Sequence, residues 1–134
     1  MSTHQDQKNP HCLFCKIIHK KIPAEIIYED EDLLAFKDIH PKAPVHLLII
    51  PKTHIDSLAH LAHTDLELMG RLTLKLQEIA KSQGLNNGFK IMINTGKAGG
   101  QEVDHVHYHL LGDFLLKTLL LLMFRLSLKY MGFY

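Results

Sequence analysis

The chain is poor in cysteine and close to neutral. Cys12 and Cys15 are its only cysteines, too few for a disulfide-built scaffold. Their C-x-x-C spacing suits a reducing compartment, as metal ligands or thiols. A formal charge of +1 provides no basic field for nucleic acid and no acidic field either. Glycines cluster at 96–100, but no G-K-[ST] follows them, so there is no P-loop. No apolar run approaches the about 20 residues of a transmembrane helix. In the C-terminal segment the longest charge-free run is Thr118–Phe124. Met1–Pro10 is polar and lacks the apolar core of a signal peptide. We read residues 1–11 as a flexible tail and expect a cytoplasmic protein. No internal repeat precedes residue 112.

A chain of 134 residues is one domain's worth and can bury a modest core. What it has in excess is histidine, eleven in all, and three of them alternate. His105, His107 and His109 are separated by Val106 and Tyr108, with Leu110 next. Period two predicts a half-buried strand, the apolar residues facing a core and the imidazoles the other side. Such a row is either a solvated face or a site, since imidazole is a nucleophile, a proton carrier and a metal ligand near neutral pH. The glycine-rich loop Thr95–Gln101 delivers this row. Its amides, Gly100 among them, could approach phosphate oxygens.

Elsewhere the pattern predicts short strands at Ile26–Tyr28, Leu33–Phe36 and Phe89–Asn94, and a helix over Lys16–Lys21. His46–Ile50 is nearly continuous in apolar residues, as in a strand buried on both faces. Thr64-Asp65-Leu66-Glu67 reads as a capping box. After it Leu66, Met69, Leu72, Leu76, Ile79 and Ala80 recur at helical spacing, up to Gly84. Together these predict an α+β domain over 12–112: an antiparallel sheet of about five strands, one long helix and a short N-terminal one. Residues 113–134 form an atypical leucine-rich segment, expected to be helical. A packed helix, a docking surface and an interfacial membrane helix remain open for it. His46, at the mouth of its strand, is either a metal ligand or an active-site histidine. His54 lines a phosphate site or lies on the surface. The cysteine pair needs two further ligands before it can seat a tetrahedral zinc.

The run His105-Val106-His107-Tyr108-His109-Leu110-Leu111 resembles the histidine-triad motif. Gly99–Val103, Phe14–Ile18, Ile22-Pro23-Ala24, Phe36–Ile39 and Ala43–Ile55 extend the resemblance from about Cys12 to Gly112, toward the small nucleotide-binding branch. It implies that His107 attacks the α-phosphorus of a purine nucleotide, forming a nucleotidyl-histidine that water then hydrolyses. It implies that His109 stabilises phosphate oxygens or protonates the leaving group, and that His105 supports both. Asp38 would hold the ribose hydroxyls, and Phe14 and Ile39 the base. Asn94, Gly100 and Gln101 would meet phosphate or the leaving atom. Structural zinc would sit on Cys12, Cys15, His46 and His105, and no organic cofactor is implied. The expected substrate is a nucleoside phosphoramidate, with a dinucleoside polyphosphate as the alternative and a non-catalytic nucleotide- or zinc-binding adaptor as the rival. The family also implies a homodimer. A serine near the triad in some relatives is replaced here by Glu102, which receives no catalytic role.

Overall fold

The computed structural model describes residues 10–132, with the backbone alone over 115–120. The flexible tail expected for residues 1–11 therefore falls mostly outside the described residues. Five strands form one antiparallel sheet: β1 (Ile26–Glu29), β2 (Leu33–Lys37), β3 (Val45–Pro51), β4 (Lys90–Met92) and β5 (Tyr108–Gly112). Their order is β1-β2-β3-β5-β4. Among the described residues three α-helices accompany them: α1 (Leu13–Ile18), α2 (Leu66–Ser82) and α3 (Phe114–Tyr130).

The central strand β3 explains the layering. Leu47 and Ile49 turn to one face of the sheet, where they join Leu33, Ala35, Val106, Tyr108 and Leu110 under α2. Leu48 and Ile50 turn to the other face, where they meet Leu34, Phe36 and the α1 residues Phe14, Cys15 and Ile17. Both faces are covered, so the strand needs no polar alternation. His46 shares the parity of Leu48 and Ile50 and lies on the α1 side. The α1 side carries the chemistry, and the α2 side carries most of the core.

The helices begin and end for local reasons. Cys12 caps α1, its Sγ accepting the Cys15 N–H at 3.4 Å, so the helix starts three residues earlier than the pattern predicted. Thr64 is not the cap of α2. Instead Asp65, buried, accepts the Ala62 N–H at 2.8 Å in a single 3-10 turn ahead of the helix. Met69, Leu72, Leu76, Ile79 and Ala80 are buried. Leu66 is 79% exposed because it precedes the point where α2 reaches the sheet. At the far end the Leu85 N–H bonds Ala80 O and the Gly84 N–H bonds Lys81 O, both at 3.0 Å. This Schellman closure needs a left-handed residue, and Gly84 (φ 78°) supplies it.

Asp113, also left-handed at φ 64°, turns the chain out of β5 into α3. Among the described residues none of α3 belongs to the buried core, and Leu121, Leu122, Met123, Phe124 and Leu126 are exposed. Among the described residues no helix is long and apolar enough to cross a membrane.

Candidate functional site

Two clusters lie on the α1 face, and the histidine row connects them. The row is only partly a strand: β5 starts at Tyr108, so His105 and His107 stand in the bend leading into it. The Val106 N–H bonds Ile55 O at 2.7 Å, tying that bend to the segment after β3. The apolar members behave as the alternation requires, with Val106, Tyr108 and Leu110 all buried against α2. The imidazoles diverge, each to a different set of partners.

His105, fully buried, points into a cluster with Cys12, Cys15 and His54 whose ligand atoms all lie within 4.8 Å of one another. Its Nδ1 is 3.6 Å from both sulfurs and 3.2 Å from His54 Nδ1. Cys15 Sγ is 3.2 Å from His54 Nδ1. A tetrahedral zinc with bonds of about 2.3 Å to sulfur and 2.0–2.1 Å to nitrogen sets neighbouring donors about 3.3–3.8 Å apart. The observed edges reach that range or fall just short of it.

The tautomers agree. His105 Nε2 faces Pro51 O at 2.7 Å, and His54 Nε2 faces the Asp56 carboxylate at 2.6 Å. Each acceptor calls for a proton on Nε2, which leaves bare Nδ1 lone pairs facing each other. Burial, opposed by the Pro51 carbonyl, pushes the His105 ring down to about 4, so it stays neutral. A cation seated between two lone pairs at that distance would hold them together. Carbonyl and carboxylate partners on the far nitrogens are the usual outer support of zinc-bound imidazole. The four residues thus fit structural zinc.

One expected ligand is corrected. His46 is not in this cluster and His54 takes its place. His46 is the second residue of β3, whereas Pro51, whose carbonyl orients His105, closes it, about 16 Å away at the strand rise. His46 belongs to the second cluster, with Asp38 and His109. The register pairs Leu48 with His109 and His46 with Leu111, so His46 and His109 are diagonal neighbours on one face. The signal for His54 was Asp56, two residues on and able to reach the outer ring nitrogen.

The second cluster forms a proton-ordered chain. The Lys42 N–H donates to His46 Nδ1 at 3.0 Å, so His46 carries its proton on Nε2. That nitrogen lies 2.9 Å from His109 Nδ1 and 3.3 Å from Asp38 Oδ2. Accepting at Nδ1 leaves His109 with its proton on Nε2. Burial lowers both rings: His46, against the opposing pull of Asp38, and His109 to about 4, helped by His107 and His46. Between the clusters stands His107, also buried. Its Nδ1–H donates to the His105 carbonyl at 2.7 Å, which leaves the Nε2 lone pair available. The His107 and His109 ring centroids are 5.1 Å apart.

The remaining expected residues divide. Phe14 is 4% exposed, and its ring stands edge-on to His107 at 5.0 Å, so its contact is with the imidazole. Ile39 is 84% exposed, beside Asp38, whose Oδ1 accepts the His40 N–H at 2.8 Å. Asn94 donates to Gly99 O at 2.8 Å, holding the glycine loop. Gly100, at φ 82°, lies against Asn94. Gln101 is turned into the same loop. Its Nε2 donates to Asp56 O at 2.6 Å and Val103 O at 2.9 Å, and its Oε1 accepts the Gly96 N–H at 2.8 Å. Both amide hydrogens are engaged with backbone, tying the glycine loop to the segment after β3 and to the turn before His105.

The fold and site define a class: a five-stranded α+β domain with a three-histidine segment set between a Cys2His2 cluster and an Asp–His–His chain. A family model described as "Scavenger mRNA decapping enzyme C-term binding" matches residues 11–118. Protein HitA of Neisseria gonorrhoeae is 58% identical over 102 residues, 76% of this chain and 95% of that protein. A 14 kDa zinc-binding protein of Zea mays is 48% identical over 75% of this chain and 80% of that one. A HIT family hydrolase from Legionella pneumophila superimposes with a TM-score of 0.74 at 46% identity, covering 75% of this chain and 91% of its own. A histidine triad protein from Clostridium difficile gives 0.73 at 42%, covering 76% and 90%. The chain belongs to the histidine triad family.

Proposed function

We propose that this chain is a nucleotide hydrolase or transferase that works through a covalent intermediate on His107, with a purine nucleoside phosphoramidate as substrate. The observation that carries the reading is the 2.7 Å bond from His107 Nδ1–H to the His105 carbonyl. It places the proton on the inner nitrogen and leaves an unprotonated Nε2 as nucleophile.

In the first step the Nε2 lone pair attacks the α-phosphorus in line. A nitrogen–phosphorus bond forms and the bond to the leaving group breaks. His109 Nε2–H, the tautomer that the His46 contact imposes, hydrogen-bonds the leaving amine or oxygen, which takes its proton from a water molecule and leaves hydroxide. In the second step that hydroxide attacks the same phosphorus, the nitrogen–phosphorus bond breaks, and the nucleotide is released with His107 restored. Asp38 and Ile39 would receive the ribose and base, while the Gly96, Gly99 and Gly100 amides are bonded within their own loop. Gln101 and Asn94 shape that loop. Cys12, Cys15, His54 and His105 would hold a structural zinc, which would supply no chemistry at the phosphorus. The chain acts as a homodimer in the cytoplasm, where its cysteines stay reduced.

The hydrolase named among the similar structures supports the reaction class. The test is direct. Purified protein incubated with adenosine phosphoramidate and quenched in alkali, where phosphohistidine-type bonds survive, should carry a nucleotidyl mass increment on the peptide containing His107. His107→Ala should lose both adduct and turnover. Undiminished turnover in that variant removes the reading. A dinucleoside polyphosphate run beside the phosphoramidate shows which leaving group is preferred.

A further inference from the structure

We infer that the Cys12–Cys15–His54–His105 cluster is a positioning device for the nucleophile as well as a structural staple. The inference rests on the reading of His107 as the attacking residue. Two links join the cluster to His107, and both run through residues that the cluster itself clamps.

The first link is His105. Its ring enters the cluster through Nδ1, while its backbone carbonyl is the acceptor that pins His107 Nδ1–H at 2.7 Å. One residue therefore serves as ligand and as orienter of the nucleophile. The second link is Phe14. It sits on α1 between the two cysteines, with its ring 5.0 Å from His107 at 88° and 6.0 Å from His105 at 70°. Helix α1 has six residues, far fewer than the 12–15 at which isolated helices become even marginal in water. Its position therefore depends on what its cysteines and packing hold. A cluster that only stapled the chain would need no contact with the reacting ring. Here the supporting carbonyl and the flanking aromatic of His107 both move when the cluster changes size. Misplacing a reacting group by about 1 Å costs up to about 100-fold in rate.

Metal exchange in the full-length chain tests this without unfolding it. Cadmium accepts the same four ligands with longer bonds to sulfur, so it stretches the cluster. With 15N-labelled histidine, the His107 ring signals should differ between zinc-loaded and cadmium-loaded protein. In the cadmium form kcat should fall about 10-fold with KM nearly unchanged, since placement and not binding is altered. Cobalt gives the reciprocal readout: saturating adenosine monophosphate should shift the visible bands of the cobalt-loaded cluster, and Phe14→Leu should shrink that shift. Superimposable His107 signals in the zinc and cadmium forms would overturn the inference, as would cobalt bands that ignore bound nucleotide. Absent turnover in zinc-loaded wild type would instead count against the proposed function, and the ring signals would still decide the positioning claim.

Discussion

Replacing His46 with leucine isolates one link of the proton-ordered chain. The His46 side chain is fully buried, so an apolar residue of similar size fills the space without exposing a cavity. The Lys42 N–H that it accepted belongs to an exposed residue and can turn to water. The loss falls on His109 Nδ1, which no longer receives a proton at 2.9 Å. His109 is half-buried, and a buried acceptor left unpaired costs about 1–3 kcal/mol, which is the upper bound here. If His109 acts only in the tautomer that this bond selects, the same energy appears in the barrier, about 5- to 150-fold in kcat. KM should move much less, because His46 is not expected to touch substrate. His46→Gln restores an N–H donor and should recover part of the loss. The assay is steady-state hydrolysis of a fluorogenic adenosine phosphoramidate, with circular dichroism confirming the fold. A His46→Leu protein with kcat within twofold of wild type would refute the tautomer argument.

Acid should destabilise the fold by a related route. The His46 and His109 rings are lowered by burial, His109 to about 4, whereas unfolded rings titrate near 6.5. Between those values the unfolded chain binds more protons, so stability is full above about 6.5 and falls as pH drops toward 4; urea midpoints across that range will show it. Gly112→Ala should destabilise by roughly 1–3 kcal/mol, because a Cβ there would sit 2.4 Å from a methyl carbon of buried Leu85. Leu85→Ala in the same chain should relieve part of that cost, visible as non-additive melting temperatures. Truncation after Gly112 should leave the melting temperature within a few degrees, about the shift that 1 kcal/mol makes, since among the described residues α3 supplies no core residue; calorimetry on the two chains settles this.

The His107 position needed only local information. The alternation of Val106, Tyr108 and Leu110 with histidines states which side chains enter the core, and the structure places those three under α2. The stripe from Met69 to Ala80 likewise declares its helix, because burial of one face is written as a period. Where the reading slipped, the deciding partner was distant in sequence or was backbone. Leu66 matches the stripe but precedes the packing. Thr64 looks like a cap, yet Asp65 reaches the free amide.

The metal ligand set shows the boundary most clearly. Cys12, Cys15 and His105 could be named from spacing and motif, and so could the presence of a fourth donor. Choosing His54 over His46 required knowing that β3 runs its full length between them, with one end at the cysteines and the other at His109. Periodicity reports which face a residue occupies, because that depends on its immediate neighbours. Which ends of which strands meet is set by the register of non-local pairing, and only the folded sheet decides it.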